Sequence, residues 1–178
     1  MSLNIVVTGP ESTGKTQLAV ILSEKLGLPL ITEVAREYLL DRLGGYLPSD
    51  LLTISELQYR EEAVKHDDNG FVADTDHQVL SIWWQEKYGP LPRRLTELYR
   101  TQGERFYLLC FPDLPWQPDP LRENERDRQR LFDIYVEDLE SRNLPYAIVK
   151  GIGEQRTRLA IQAITVYKES SICCASEN

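Results

Sequence analysis

The chain has 178 residues, 42% of them apolar, which suits one α/β domain with a sizeable core. It carries 28 acidic and 20 basic residues, a formal charge of −8; this argues against a general nucleic-acid binder, which needs a basic footprint, and for a small-molecule partner. There is no leader pattern, no apolar run near the roughly 18 residues of a membrane span, and no metal-ligand spacing among Cys110, Cys173 and Cys174, so a soluble, cytoplasmic protein without a membrane partner is expected.

The first element is an apolar, β-branched run, Leu3–Thr8, which reads as a buried strand. Gly9-Pro10-Glu11-Ser12-Thr13-Gly14-Lys15-Thr16 follows and fits G-x-x-x-x-G-K-[ST]. Apolar residues at Leu18, Ile21, Leu22 and Leu26 then have helical spacing, so a helix is expected over 14–26. Gly9 and Gly14 let consecutive N–H groups turn inward, and the helix adds its positive end. Lys15 brings an ammonium to the β- and γ-phosphates, and the Thr16 hydroxyl is placed for Mg²⁺. An ATP site of Gly9, Glu11, Ser12, Thr13, Gly14, Lys15, Thr16 and Gln17 is expected, with ATP and Mg²⁺ bound together.

Four more strands are expected at Leu30–Val34, Phe71–Asp74, Phe106–Phe111 and Tyr146–Lys150. Helical patterns fall around 35–43, 50–66, 77–88, 92–102, 125–142 and 154–168. The alternation predicts a three-layer P-loop NTPase sandwich: a five-stranded parallel sheet with helices on both faces. One domain over 1–170 is expected, with a lid near 112–130 and a tail over 171–178. Ligands of such a sheet sit at the carboxyl ends of its strands.

Polar residues gather after those ends. Asp74 closes a strand and suits a metal or catalytic role. Asp76 suits either the acceptor site or a helix cap. Glu33, inside or just past a strand, needs a partner such as Arg36 or Lys15, or a task such as general base. Between 112 and 120 stand four prolines, followed by Arg122, Arg126, Arg128 and Arg130. An arginine-bearing flap over bound phosphates would shield transfer from water, with Arg122 the leading candidate; a solvated helix face is the alternative. Trp83, Trp84, Tyr59 and Trp116 could stack on a ring, although at least one of Trp83 and Trp84, inside a helical pattern, is expected in the core. His66 and His77 read as surface or capping residues.

Taken together, "GPESTGKT", "EVAREYL", "LQYREEAVKH", "FVADTD", "LPWQPDPLR" and "GEQR" resemble the ribosylnicotinamide kinase domain of the bifunctional bacterial nicotinamide-mononucleotide adenylyltransferase/regulator, over nearly the whole chain. The resemblance implies phosphoryl transfer from ATP to the 5′-hydroxyl of nicotinamide riboside. It implies Lys15 and Thr16 on the triphosphate and its magnesium, and Asp74 at the metal or the acceptor hydroxyl. It implies a lid of Trp116, Asp119 and Arg122, and Tyr59 against the pyridinium ring. The acceptor set is then Glu33, Arg36, Tyr59, Asp76, Trp116 and Asp119, and the catalytic set Lys15, Asp74, Glu33 and Arg122. Some relatives carry Trp-Glu-Tyr where this chain has Thr32-Glu33-Val34, and Asp-Asp-Gly where it has Pro118-Asp119-Pro120. A kinase for another nucleoside, a regulatory ATPase and a nucleotide-binding module without turnover are the competing classes.

Overall fold

The computed structural model describes residues 2–40, 45–65, 67–119, 122 and 124–175, with side chains to Ser171. His66 lies outside the described residues, as do the expected helical positions 41–43, lid positions 120, 121 and 123, and tail positions 176–178.

Five strands, β1 Leu3–Thr8, β2 Leu30–Ile31, β3 Gly70–Asp74, β4 Phe106–Cys110 and β5 Tyr146–Val149, form one sheet in the order β2-β3-β1-β4-β5. Every pairing is parallel. β3 and β4 are buried at every residue, as strands covered on both faces must be.

One face of the sheet carries α1 Lys15–Leu26 and α7 Glu154–Ala175. There Ile5, Val7, Val72 and Leu108 pack against Leu18, Leu22, Ala160 and Ile164. The opposite face carries α4 His77–Tyr88 and α6 Arg128–Ser141, where Val6, Ala73 and Leu109 meet Ile82, Phe132, Tyr135 and Leu139. Outside α4, the helices α2 Val34–Leu39, α3 Pro48–Lys65 and α5 Arg93–Arg100 close a third apolar cluster around Leu51, Ile54, Leu80 and Leu95. The expected fold class is thus the observed one.

Several expected boundaries move. β2 stops at Ile31, and Glu33 takes the residue before α2 with extended backbone (φ −65, ψ 98), so Val34 is helical rather than a strand residue. α6 begins at Arg128 rather than near 125, and the proline-bearing lid has no regular structure from 111 to 124 among its described residues. α7 runs past the expected end near 168, to Ala175.

Candidate active site

β1 lies between β3 and β4, the point where the strand order reverses, so the loop after β1 opens into the crevice there. Gly9 leaves β1 at φ 128, and a Cβ on it would stand 2.8 Å from the Cys110 carbonyl oxygen. Only glycine fits that approach. Ser12 (φ 53) and Gly14 (φ 74) also turn left-handed, which aims successive N–H groups into one cradle at the start of α1. No acidic residue occupies the first turn of α1, so its positive end stays available to an anion. The Lys15 ammonium and the Thr13 hydroxyl both donate to the Pro10 carbonyl, each at 2.8 Å. The loop is therefore closed on itself, and a bound phosphate would compete with that carbonyl for Lys15.

A cavity of about 510 Å³ opens over this cradle. It reaches one sheet edge through Ile152, Gly153 and Arg156, and the other through Glu33, Arg36, Val79, Trp83 and Glu86. All eight expected ATP-site residues line it.

Asp74 is 2% exposed and faces a neighbouring pocket of about 210 Å³, which shares Thr16, Glu33 and Arg36 with the main cavity. Its carboxyl is pushed up to about 6, first by burial and then by the Glu33 carboxylate, with Thr16 and Lys15 pulling the other way. Its Oδ1 is buried without a hydrogen-bond partner. An unsatisfied carboxylate oxygen beside a hydroxyl and a second carboxylate is an oxygen donor set that fits Mg²⁺. Among the described residues, no group of three or more His, Cys, Asp or Glu side chains converges on a metal site by itself. A cation here would therefore take its remaining ligands from phosphate and water.

Glu33 sits at the rim, where its Oε2 accepts from the Arg36 Nε at 3.4 Å. Of the two expected partners, Arg36 is the one this hydrogen bond joins to it. Arg36 also donates to Asp119 Oδ2 at 2.9 Å, which ties the lid to α2.

The lid docks directly on the P-loop. The Ser12 Oγ accepts from the Arg122 Nη1 at 3.0 Å and from the Gln117 N–H at 3.2 Å. The Asn124 N–H donates to Glu11 Oε2 at 3.0 Å. Arg128 donates to the Leu114 carbonyl at 2.8 Å. Arg122 lines the cavity as expected, whereas Arg126 is exposed and Arg130 pairs with Glu86 at 2.5 Å.

Four expected acceptor residues do not line the cavity among the described residues: Tyr59, Asp76, Trp116 and Asp119. Tyr59 lies one position beyond the buried stripe of α3 (Leu51, Ile54, Ser55, Gln58, Glu62), which turns it outward, 46% exposed. Asp76 is a buried cap: Oδ1 accepts from the Gln78 N–H at 2.9 Å, and Oδ2 from Arg105 at 3.2 Å and the Tyr107 hydroxyl at 2.8 Å. With both oxygens engaged, it is a structural ion pair. Trp116 turns its ring toward the Arg128 guanidinium, 5.9 Å away. Asp119 meets Arg36 instead of the cavity.

His77 is fully buried rather than on the surface, with Nε2 3.0 Å from the Ser55 carbonyl; burial lowers its pKa. Neither Trp83 nor Trp84 is fully buried; both pack on the third cluster from outside.

The cavity also takes in residues that no motif announced. Arg156 is 4% exposed and donates to Asp113 Oδ1 at 2.8 Å and to the Gly151 and Phe111 carbonyls at 2.7 and 3.0 Å. It lies in "GEQR", but nothing local says that the side chain turns inward. Trp83, Glu86, Leu131 and Tyr135 enter because α4 and α6 cross the same sheet face.

No curated protein matches the sequence. Among solved structures, a NadR protein in complex with NR superposes with TM-score 0.74 at 21% identity, covering 93% of this chain and 51% of that one. A second NadR structure, in complex with NAD and AMP-PNP, gives TM-score 0.69 at 22% identity over 93% of this chain and 49% of that one. This chain thus spans about half the length of the NadR chains. Thymidylate kinase from Ehrlichia chaffeensis gives TM-score 0.66 at 14% identity, covering 93% and 98%. These likenesses establish a P-loop kinase fold. Residues 4–156 match the family described as AAA domain, so the chain belongs to that P-loop family.

Proposed function

We propose that this protein is an ATP-dependent small-molecule kinase whose acceptor is the 5′-hydroxyl of nicotinamide riboside, the product being nicotinamide mononucleotide. The observation that carries this reading is the cavity that runs from the phosphate cradle to a region lined by Glu33, Val79, Ile82 and Trp83. A hydrolase needs only the first part; a compartment continuous with it is what an acceptor requires. The NadR structure with NR supports the choice of acceptor, as does the resemblance to ribosylnicotinamide kinases.

In this reading Lys15 leaves the Pro10 carbonyl for the β- and γ-phosphates. Thr16 and Asp74 would hold Mg²⁺, which when bound neutralises charge on the triphosphate. Glu33, at the rim shared by both pockets, takes the proton of the acceptor hydroxyl. The hydroxyl oxygen bonds to the γ-phosphorus as the bond from that phosphorus to the bridging oxygen breaks, and the electron pair leaves with ADP. Arg122 covers the moving phosphoryl group, and the lid excludes water. The protein then acts in the cytoplasm, without nucleic-acid or membrane partners; among the described residues no helix is long and apolar enough to cross a membrane.

The test is a panel of nucleosides incubated with ATP and Mg²⁺, with product read by mass. Nicotinamide riboside should be phosphorylated with higher kcat/KM than uridine, cytidine or adenosine. Faster phosphorylation of an uncharged nucleoside would keep the kinase and discard the acceptor. ATP hydrolysis with no phosphorylated nucleoside would leave a regulatory ATPase.

A further inference from the structure

The acceptor side of the cavity is built by α4, and its chemistry differs from that of the phosphate side. Around the P-loop the lining charges are mainly cationic: Lys15, Arg122 and Arg156. On the α4 side, Val79, Ile82 and Trp83 supply apolar surface, and the carboxylates of Glu33 and Glu86 stand paired with Arg36 and Arg130. Among the described lining residues the aromatic side chains are Trp83 and Tyr135.

Trp83 is held for contact. Its ring meets the Tyr46 ring edge-on, with centroids 4.8 Å apart at 71°, and its Nε1 donates to the Tyr46 hydroxyl. Both the plane and the rotation of the indole are thereby constrained, while the side chain stays partly open to the cavity. Glu86 follows one helical turn later, on the same side of α4, and Arg130 anchors its carboxylate at 2.5 Å. Tyr135, across the cavity, is buried, and burial first and then Glu11 and Glu33 raise its hydroxyl pKa.

We infer that Trp83 is the ring wall of the acceptor compartment and that the compartment selects a flat aromatic cation. This rests on the proposed transfer to nicotinamide riboside and deepens it by naming the residue that reads the ring. An indole face attracts a cation through its quadrupole. A neutral ring of the same shape keeps the stacking and loses the charge contribution.

The experiment compares Trp83→Leu, Trp83→Phe and Trp84→Phe with the wild-type protein. Trp84 is the matched control: it lies next in sequence, donates to the Pro90 carbonyl at 3.0 Å and does not line the cavity among the described residues. Trp83→Leu is expected to raise KM for nicotinamide riboside roughly tenfold, with KM for ATP within about twofold of wild type. Trp83→Phe, which keeps a ring in the third cluster, should fall between them.

Binding gives a second readout. An electron-poor pyridinium against an indole quenches its fluorescence, so nicotinamide riboside should quench the wild-type protein and Trp84→Phe. The quench should be lost in Trp83→Phe. If nicotinamide riboside is phosphorylated and both the Trp83→Leu KM and the Trp83→Phe quench match wild type, the assignment of Trp83 is overturned and the kinase stands. If the wild-type protein neither binds nor phosphorylates nicotinamide riboside, the proposed acceptor falls, and this inference with it.

Discussion

At the scale of single residues, Asp74 is placed against its own stability. Burial and Glu33 raise its carboxyl to about 6, so folding favours the neutral form. The sign follows: the contribution is fully present below the ordinary carboxylate value near 3.8 and is lost as pH rises through 6. Above pH 6 the nucleotide-free protein holds an ionised, buried carboxylate beside another one. Asp74→Asn should therefore raise stability at pH 7.5 by up to about 3 kcal/mol, have little effect at pH 4, and abolish transfer. Melting curves at the two pH values, read beside turnover, check this. An Asn variant less stable than wild type at pH 7.5 would mean that Asp74 is a structural anchor. A functional group held at an unfavourable ionisation, and relieved by a bound cation, is a familiar trade of stability for activity.

At the scale of elements, the lid and the buried polar cluster behave differently. The lid makes its contacts through side chains at the solvent boundary, to Ser12, Glu11 and Arg36. Such contacts are cheap to break, which suits a segment that must admit ATP. Arg122→Ala is expected to lower kcat by roughly 10³-fold while changing ATP affinity far less, because a cation over the phosphoryl group matters most during transfer. Equal losses in ATP affinity with kcat unchanged would make Arg122 a ground-state clamp.

Beneath α4 the opposite holds. Arg105 is 6% exposed and lies between Glu62 at 3.3 Å and Asp76 at 3.2 Å, joining β4 to α3 and to the cap of α4. Removing it strands two buried carboxylates, so Arg105→Leu should cost about 3–5 kcal/mol in denaturant unfolding. A loss within about 1 kcal/mol would show that water or rearrangement satisfies both acids. The same cluster holds His77 between the Ser55 carbonyl and the Gln102 amide, so a histidine expected at the surface or in a cap is fully enclosed.

At the scale of the whole molecule, the sheet order brings the site together. β1 carries the P-loop at the centre, β2 and β3 bring Glu33 and Asp74 from one side, and β4 and β5 bring the lid and Arg156 from the other. A ligand spanning that crevice contacts both halves of the chain and binds only the folded state. ATP with Mg²⁺ at 100 times its dissociation constant should therefore add about 2.7 kcal/mol of stability. Lys15→Ala should lose most of that gain while melting near the wild-type temperature without ligand, since its ammonium bonds the loop and not the core. Retention of the full ATP-dependent shift would place the nucleotide elsewhere.

The sequence by itself determined the parts whose causes are local. A β-branched run, two glycines at fixed spacing and a lysine specify the P-loop, because backbone geometry and phosphate charge act within a few residues. Periodicity specified five parallel strands and the helices between them, and Asp74 was legible as the acid at a strand end. Only the tertiary structure decided which way side chains on the same helix point into the site. Tyr59 and Gln58 are neighbours in sequence, yet one is 46% exposed and the other 3%, because a helix turns about 100° per residue and α3 buries a single stripe. Asp76 could cap or bind; the arrival of Arg105 and Tyr107, far along the chain, committed both its oxygens. Trp83 and Trp84 were equal candidates for ring contact or core in the sequence; the packing of α4 on the sheet left Trp83 lining the cavity and not Trp84 among the described residues. Long-range packing of this kind is set by sheet order and layer contacts, and no window of sequence contains it.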